Sequence, residues 1–197
     1  MTEKTILVTG FQPFGGESLN PSWEAVKLLP DTINGHRICK LEIPVVYGKA
    51  AEKIIETAEK LDLCAILSVG QAGGRARVTP EMSALNLRYS LAPDNAGRIC
   101  LDEPVDRNGE NSYFSTITVR KIAKALNDSG IDAAVSYTAG TFVCNDVMYS
   151  ILRHFRDTGV KCGFIHVPFI PEQGHKDQPS MPLDKIVSAL EIAINNI

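Results

Sequence analysis

The stretch AGTFVCNDVMYSIL, residues 139–152, places a cysteine where an apolar strand gives way to a helix. Cys144 follows VSYTAG and opens NDVMYSIL, so its sulfur sits beside the unpaired N–H groups of a helix N-terminus, which together carry roughly half a positive charge. That field favours thiolate over thiol and pulls the pKa below its usual value of about 8.5. The same N–H groups could hold the oxyanion that forms when a carbonyl is attacked. The competing account is an inert, buried cysteine, and it suits Cys39, Cys64 and Cys162, which lie inside or at the start of apolar strands. Cys100 falls in a loop with no evident activator.

A thiol nucleophile works best beside a base, usually histidine, held in turn by a third group. His36 follows Asn-Gly in a turn before a strand, at the end away from Cys144. His154, in RHFRD, reads as solvated, and His175, in EQGHKDQ, remains a candidate in a polar loop. His166 is the strongest candidate. It lies near the carboxyl end of FIHVP, the strand that follows the cysteine's own helix, and a parallel sheet puts both at one edge. Its alternative is a satisfied core histidine. Spacing leaves the third member open among Glu81, Asp94, Asp102, Glu103 and Asp146.

Strand-like runs and helical periodicity alternate along the chain. Strands are expected at 5–10, 37–46, 64–70, 132–138 and 161–169, with MSALNLRYS (82–90) as a weak edge strand. Helices are expected after Asn20, which could cap with Pro21 in the first position, and at 49–61, 116–130, 144–157 and 182–196. Ala50, Ile54, Ile55, Ala58 and Leu61 form one buried stripe; Leu183, Ile186, Val187 and Leu190 form another. Gly130 can end its helix in a left-handed conformation. Residues 92–112 read as a long loop, a feature usually functional or mobile in a compact domain. The pattern predicts an α/β fold: a mostly parallel twisted sheet with helices on both faces in one catalytic domain, residues 1–197. Ligands then bind beyond the strands' carboxyl ends, at GFQPFGG, GQAGGR, AGTFVCN and HVPF.

With 22% charged residues and a net charge of −3, the chain has no basic cluster to hold nucleic acid. No apolar run approaches the roughly 20 residues that cross a membrane, and MTEKTILVTGF does not read as a signal peptide. Five cysteines without C-x-x-C spacing predict free thiols, no bound metal and a cytoplasmic setting.

The segments GFQPFGGESLNPS (10–22), SVGQAGGR (68–75), PDNAG (93–97), AGTFVCN (139–145) and GFIHVP (163–168) resemble the pyroglutamyl peptidases, cysteine peptidases that remove an N-terminal pyroglutamate. The matching segments span the chain in the family's order. The resemblance implies a catalytic triad of Cys144, His166 and Glu81, and a lactam pocket built from Phe11, Phe14, Gln71, Phe142 and Val143. It implies no cofactor, pyroglutamylated peptides as partners, and a homo-oligomer, often a tetramer. One position departs: Leu91 stands where the family usually carries arginine, a gap that Arg88 or Arg75 could offset. Two rival readings follow. The chain could bind pyroglutamyl peptides without cleaving them. Alternatively, GFQPFGG could cradle phosphate as in a nucleoside phosphorylase, although it lacks the P-loop Lys-Ser/Thr pair.

Overall fold

A computed structural model of the chain describes residues 4–197. The apolar run TILVTGF forms β1 (Thr5–Phe11), buried along its whole length. After the first loop comes α1 (Pro21–Val26), capped by Asn20, whose side-chain oxygen accepts from the Ser22 N–H at 3.1 Å. The chain continues through β2 (Thr32–Ile33), β3 (His36–Ile43), α2 (Lys49–Ala58) and β4 (Leu63–Gln71). The short strands β5 (Thr79–Pro80), β6 (Ser83–Leu85), β7 (Arg88–Ser90), β8 (Cys100–Glu103) and β9 (Ser112–Phe114) follow. Next are α3 (Val119–Asp128), α4 (Val143–His154), β10 (Lys161–Val167) and α5 (Leu183–Ile194).

The main sheet has the order β2-β3-β1-β4-β10-β5. Its four inner strands are parallel, and the two short outer ones are antiparallel. Side chains alternate across it with the period of two that a pleated strand imposes. Ile6 and Val8 of β1, Leu67 and Val69 of β4, and Ile165 and Val167 of β10 pack with α1, α3 and α5. Leu7, Ile66 and Phe164 face the other way, onto α2 and α4. The α/β architecture with helices on both faces follows from this alternation.

Three local expectations change. Residues 132–138 run extended beside 78–82, but form only isolated bridges, at Val78–Ala133 and Glu81–Ser136. Ala134 and Ser136 donate to the Val78 and Pro80 carbonyls, at 3.1 and 3.0 Å. Pro80 has no N–H to return, and the ladder breaks there. The expected edge strand at 82–90 divides into β6 and β7, which pair outside the main sheet with β9 and β8. The expected loop at 92–112 therefore contains β8 and reaches the start of β9. Gly130, with φ of 76°, does close α3 in the left-handed region.

At the end of β1, Gly10 lies against the α1 backbone. A β-carbon there would come within 2.6 Å of Trp23 Cα, an approach that no side-chain rotation relieves. Gly10→Ala will therefore force the helix off the strand, at about 1–3 kcal/mol by analogy with overpacked cores. Thermal unfolding should register it as a midpoint lower by several degrees. An unchanged midpoint would mean the two elements are not tightly seated.

Candidate active site

The carboxyl edge of the sheet collects residues from four separate segments. Phe11 ends β1, Gln71 ends β4, and His166 is the penultimate residue of β10, paired in register with Gly70. Cys144 is the second residue of α4, whose start has no side-chain cap, so its first N–H groups stay available. Ile66 of β4 and Cys162 and Phe164 of β10 face α4, and the same parity puts His166 on the cysteine's side of the sheet. Gly70 makes the approach possible: a β-carbon there would lie 3.0 Å from the Cys144 sulfur and 2.8 Å from the Phe164 ring.

A cavity of about 480 Å³ opens at this edge. Cys144 and His166 both line it, together with Phe11, Phe14, Gln71 and Phe142. The rings of Phe14 and Phe142 stand 6.3 Å apart, and Tyr47 meets Phe142 edge-on at 5.5 Å. Val143 is placed differently. Its side chain is wholly buried in the core between α4 and the sheet, and is not part of the cavity wall. A larger cavity, about 620 Å³, lies between β9 and the turn from α4 into β10. Neither Cys144 nor His166 reaches it.

Of the five carboxylates that spacing left open, Glu81 is the one that bonds His166, with Nδ1 and Oε1 at 2.7 Å and both side chains buried. Arg75 donates to the same oxygen at 2.7 Å and to Thr79 Oγ1 at 2.6 Å. Burial alone would raise the Glu81 carboxyl. The bond to His166 and its charge, then Ser136 and Arg75, outweigh that, and the net shift is downward. The Ser136 hydroxyl donates to the Thr138 carbonyl at 3.2 Å, and Glu81 Oε2 has no hydrogen-bond partner. Glu81 stays a carboxylate.

The other four acids are occupied elsewhere or exposed. Asp94 accepts from the N–H groups of Tyr47, Ala96 and Arg98, and Asn95 donates to the Pro13 carbonyl at 2.9 Å. PDNAG thus fastens the far loop to the first one. Asp146 accepts from the Gly48 N–H and pairs with Arg88 at 2.5 Å. Glu103 pairs with Arg98 at 2.5 Å, and Asp102 is exposed. Among the other histidines, His175 bonds Glu17 at 2.9 Å, His154 faces Glu59 at 3.4 Å, and His36 lies at the sheet's opposite end. Arg75 and Arg88, the two candidates to offset Leu91, are committed to Glu81 and Asp146.

The thiol departs from its sequence expectation. Burial pushes Cys144 up to about 12, and the nearby Glu81 charge adds to the rise. Arg75 and the cysteine's own backbone N–H pull the other way without prevailing. The cause is the surroundings: the aromatic walls and Phe164 displace water that a thiolate would need. Cys144 inactivation by iodoacetamide should quicken roughly tenfold per pH unit from pH 7 to 10. A flat rate from pH 5 to 8 would instead reveal a preformed thiolate–imidazolium pair.

Sequence reasoning missed Arg75 as a partner of Glu81, although SVGQAGGR contains it. It also missed the organising role of Asn145. That buried side chain accepts from the Leu85 N–H at 2.8 Å and donates to the Leu85 and Leu87 carbonyls, stapling the 85–87 segment to the cysteine's helix. Its position beside Cys144 was the available signal.

Comparison with known proteins extends these observations. A family model described as pyroglutamyl peptidase matches residues 4–197. A pyrrolidone-carboxylate peptidase of Staphylococcus carnosus is 47% identical, covering 98% of this chain and 92% of that protein. One from Lactobacillus johnsonii is 48% identical, covering 98% and 91%. The crystal structure of pyroglutamyl peptidase I from Bacillus amyloliquefaciens matches with a TM-score of 0.95 and 42% identity, covering 99% of this chain and 95% of that one.

Proposed function

The chain belongs to the pyroglutamyl peptidase family and is a hydrolase; on that premise we propose that it removes N-terminal pyroglutamate from peptides through a thioester on Cys144. The observation that carries this reading is the 2.7 Å bond from His166 to buried Glu81, on an imidazole that shares a cavity with Cys144. With Nδ1–H donating to the carboxylate, Nε2 is left as the acceptor for the thiol proton.

The reaction then begins from a neutral thiol. His166 takes the Cys144 proton as the sulfur attacks the pyroglutamyl carbonyl, and Glu81 stabilises the imidazolium. The Cys144 N–H and a neighbouring loop N–H hold the oxyanion at the uncapped helix start. The imidazolium passes its proton to the departing amine, leaving a thioester. His166 next takes a proton from water, whose oxygen attacks the thioester, and Cys144 leaves as the restored thiol.

Phe11, Phe14 and Phe142 would wall the lactam ring, with Gln71 addressing its amide and Val143 packing behind the helix start. Free glutamate is excluded because its charges would be buried without partners. Residues 1–197 act as one catalytic domain in this reading. The five free thiols support a reducing, cytoplasmic setting. Among the described residues, no helix is long and apolar enough to cross a membrane. We expect a homotetramer on the family resemblance, and sedimentation equilibrium would check it.

The deciding assay is release of the chromophore from a pyroglutamyl amide by the purified chain. Release is expected from that substrate and not from its glutamyl counterpart. Failure to release it, with binding intact, would favour the non-cleaving reading.

A further inference from the structure

The cavity wall includes buried Phe11, 2% exposed, and reaches solvent at Tyr89, 40% exposed, and Leu91, 74% exposed. A lactam ring held among the inner phenylalanines leaves the rest of the peptide to run out past these two side chains. Their position is fixed relative to the nucleophile. Tyr89 donates its N–H to the Thr141 carbonyl at 3.0 Å, and Thr141 Oγ1 donates back to the Tyr89 carbonyl at 2.7 Å. Thr141 lies three residues before Cys144. Ser90 Oγ, in turn, accepts from the Ala92 N–H at 3.1 Å and donates to the Ala92 carbonyl at 2.9 Å, which pins the turn carrying Leu91.

An exposed leucine and a half-exposed tyrosine on a fastened turn are an apolar surface without an occupant. No Asp, Glu, Lys or Arg lines the cavity. The nearby guanidiniums are already paired: Arg75 with Glu81, Arg88 with Asp146 and Arg98 with Glu103. Glu17, linked to the wall residue Gln71 through Gln173, is held by Gln173 and His175. A charged side chain arriving at the mouth would lose water and meet no free counter-charge.

We propose that Tyr89 and Leu91 form the subsite for the side chain that follows pyroglutamate, and that this subsite takes apolar side chains in preference to charged ones. The proposal rests on the pyroglutamyl peptidase reading above and names the substrate class within it. The rim is open, so the discrimination is smaller than the roughly 10–200-fold that an enclosed pocket obtains from one methylene.

The test uses pyroglutamyl-X-alaninamide peptides, with X as Leu, Phe, Gly, Asp or Lys; the amide removes the terminal carboxylate from the comparison. For the parent protein, kcat/KM for Leu and Phe should exceed that for Asp and Lys by about tenfold. Leu91→Ser should lower the Leu-to-Gly ratio about three- to tenfold. Leu91→Lys should raise the Asp-to-Leu ratio by a similar factor. Ratios cancel any loss of folded protein. Equal kcat/KM across the series, or an unchanged Leu-to-Gly ratio in Leu91→Ser, overturns the subsite and leaves the peptidase reading standing. Cleavage of none of the five peptides overturns both.

Discussion

Cys144→Ala should lower kcat/KM for a pyroglutamyl amide by at least about 10⁴-fold, because the variant retains the binding cavity and loses the only atom that can form the thioester. The substitution is mild for the fold. It removes one sulfur that lies over Gly70, and the helix keeps its first turn. Thermal unfolding should therefore stay within a few degrees of the parent. Pyroglutamyl peptides should still bind, with an affinity near the parent's KM. A variant that turned over at the parent rate would remove the sulfur from the chemistry altogether. Cys144→Ser is the sharper companion. Its hydroxyl sits at the same place but ionises far less readily than a thiol already pushed up to about 12, so a large loss is expected there too.

Glu81→Gln should cost about 10²- to 10⁴-fold in kcat with a much smaller change in KM. A glutamine is the same size, but Arg75 and His166 Nδ1 share one carboxylate oxygen: an amide oxygen there keeps both bonds without the charge, and an amide nitrogen there gives up Arg75 to donate to His166 Nδ1. The latter reverses the imidazole tautomer and leaves Nε2 carrying the proton it should receive. In either, the carboxylate's contribution to imidazolium disappears. Both effects fall on the step after binding. An equal rise in KM with kcat intact would assign Glu81 to the lactam pocket instead. The variant also removes a carboxylate that is held below its ordinary value. Such a group stabilises the folded state at pH above the unfolded carboxyl range and loses that contribution as pH falls through its lowered value. The parent should thus lose more stability than Glu81→Gln on acidification below about pH 4.

How much of this site could be read before the fold was known differs residue by residue. Cys144 was visible because a strand-to-helix switch is encoded locally, in the change from VSYTAG to NDVMYSIL. His166 was visible because strand parity and direction together fix both the face and the edge that a residue occupies. Glu81 was not separable from four other acids: its bond to His166 joins positions 85 residues apart and depends on how β5 closes the sheet. Arg75 was hidden for the same reason. The shift of the Cys144 thiol runs opposite to the one expected from the helix N-terminus, since sequence gives that N-terminus but not the density of the walls around it. The sheet suffered once from its own chemistry. DAAVSYT has the composition of a strand, and a single proline in the neighbouring segment denies it a continuous partner.

Gly70 carries a consequence beyond the room it leaves. It is the backbone partner of His166 and lies under the Cys144 sulfur, so one residue without a side chain adjoins both. The His166 backbone and the Cys144 sulfur are thereby both placed against the same bare α-carbon. A methyl added at Gly70 would press on two neighbours at once, meeting the Phe164 ring at 2.8 Å and the Cys144 sulfur at 3.0 Å.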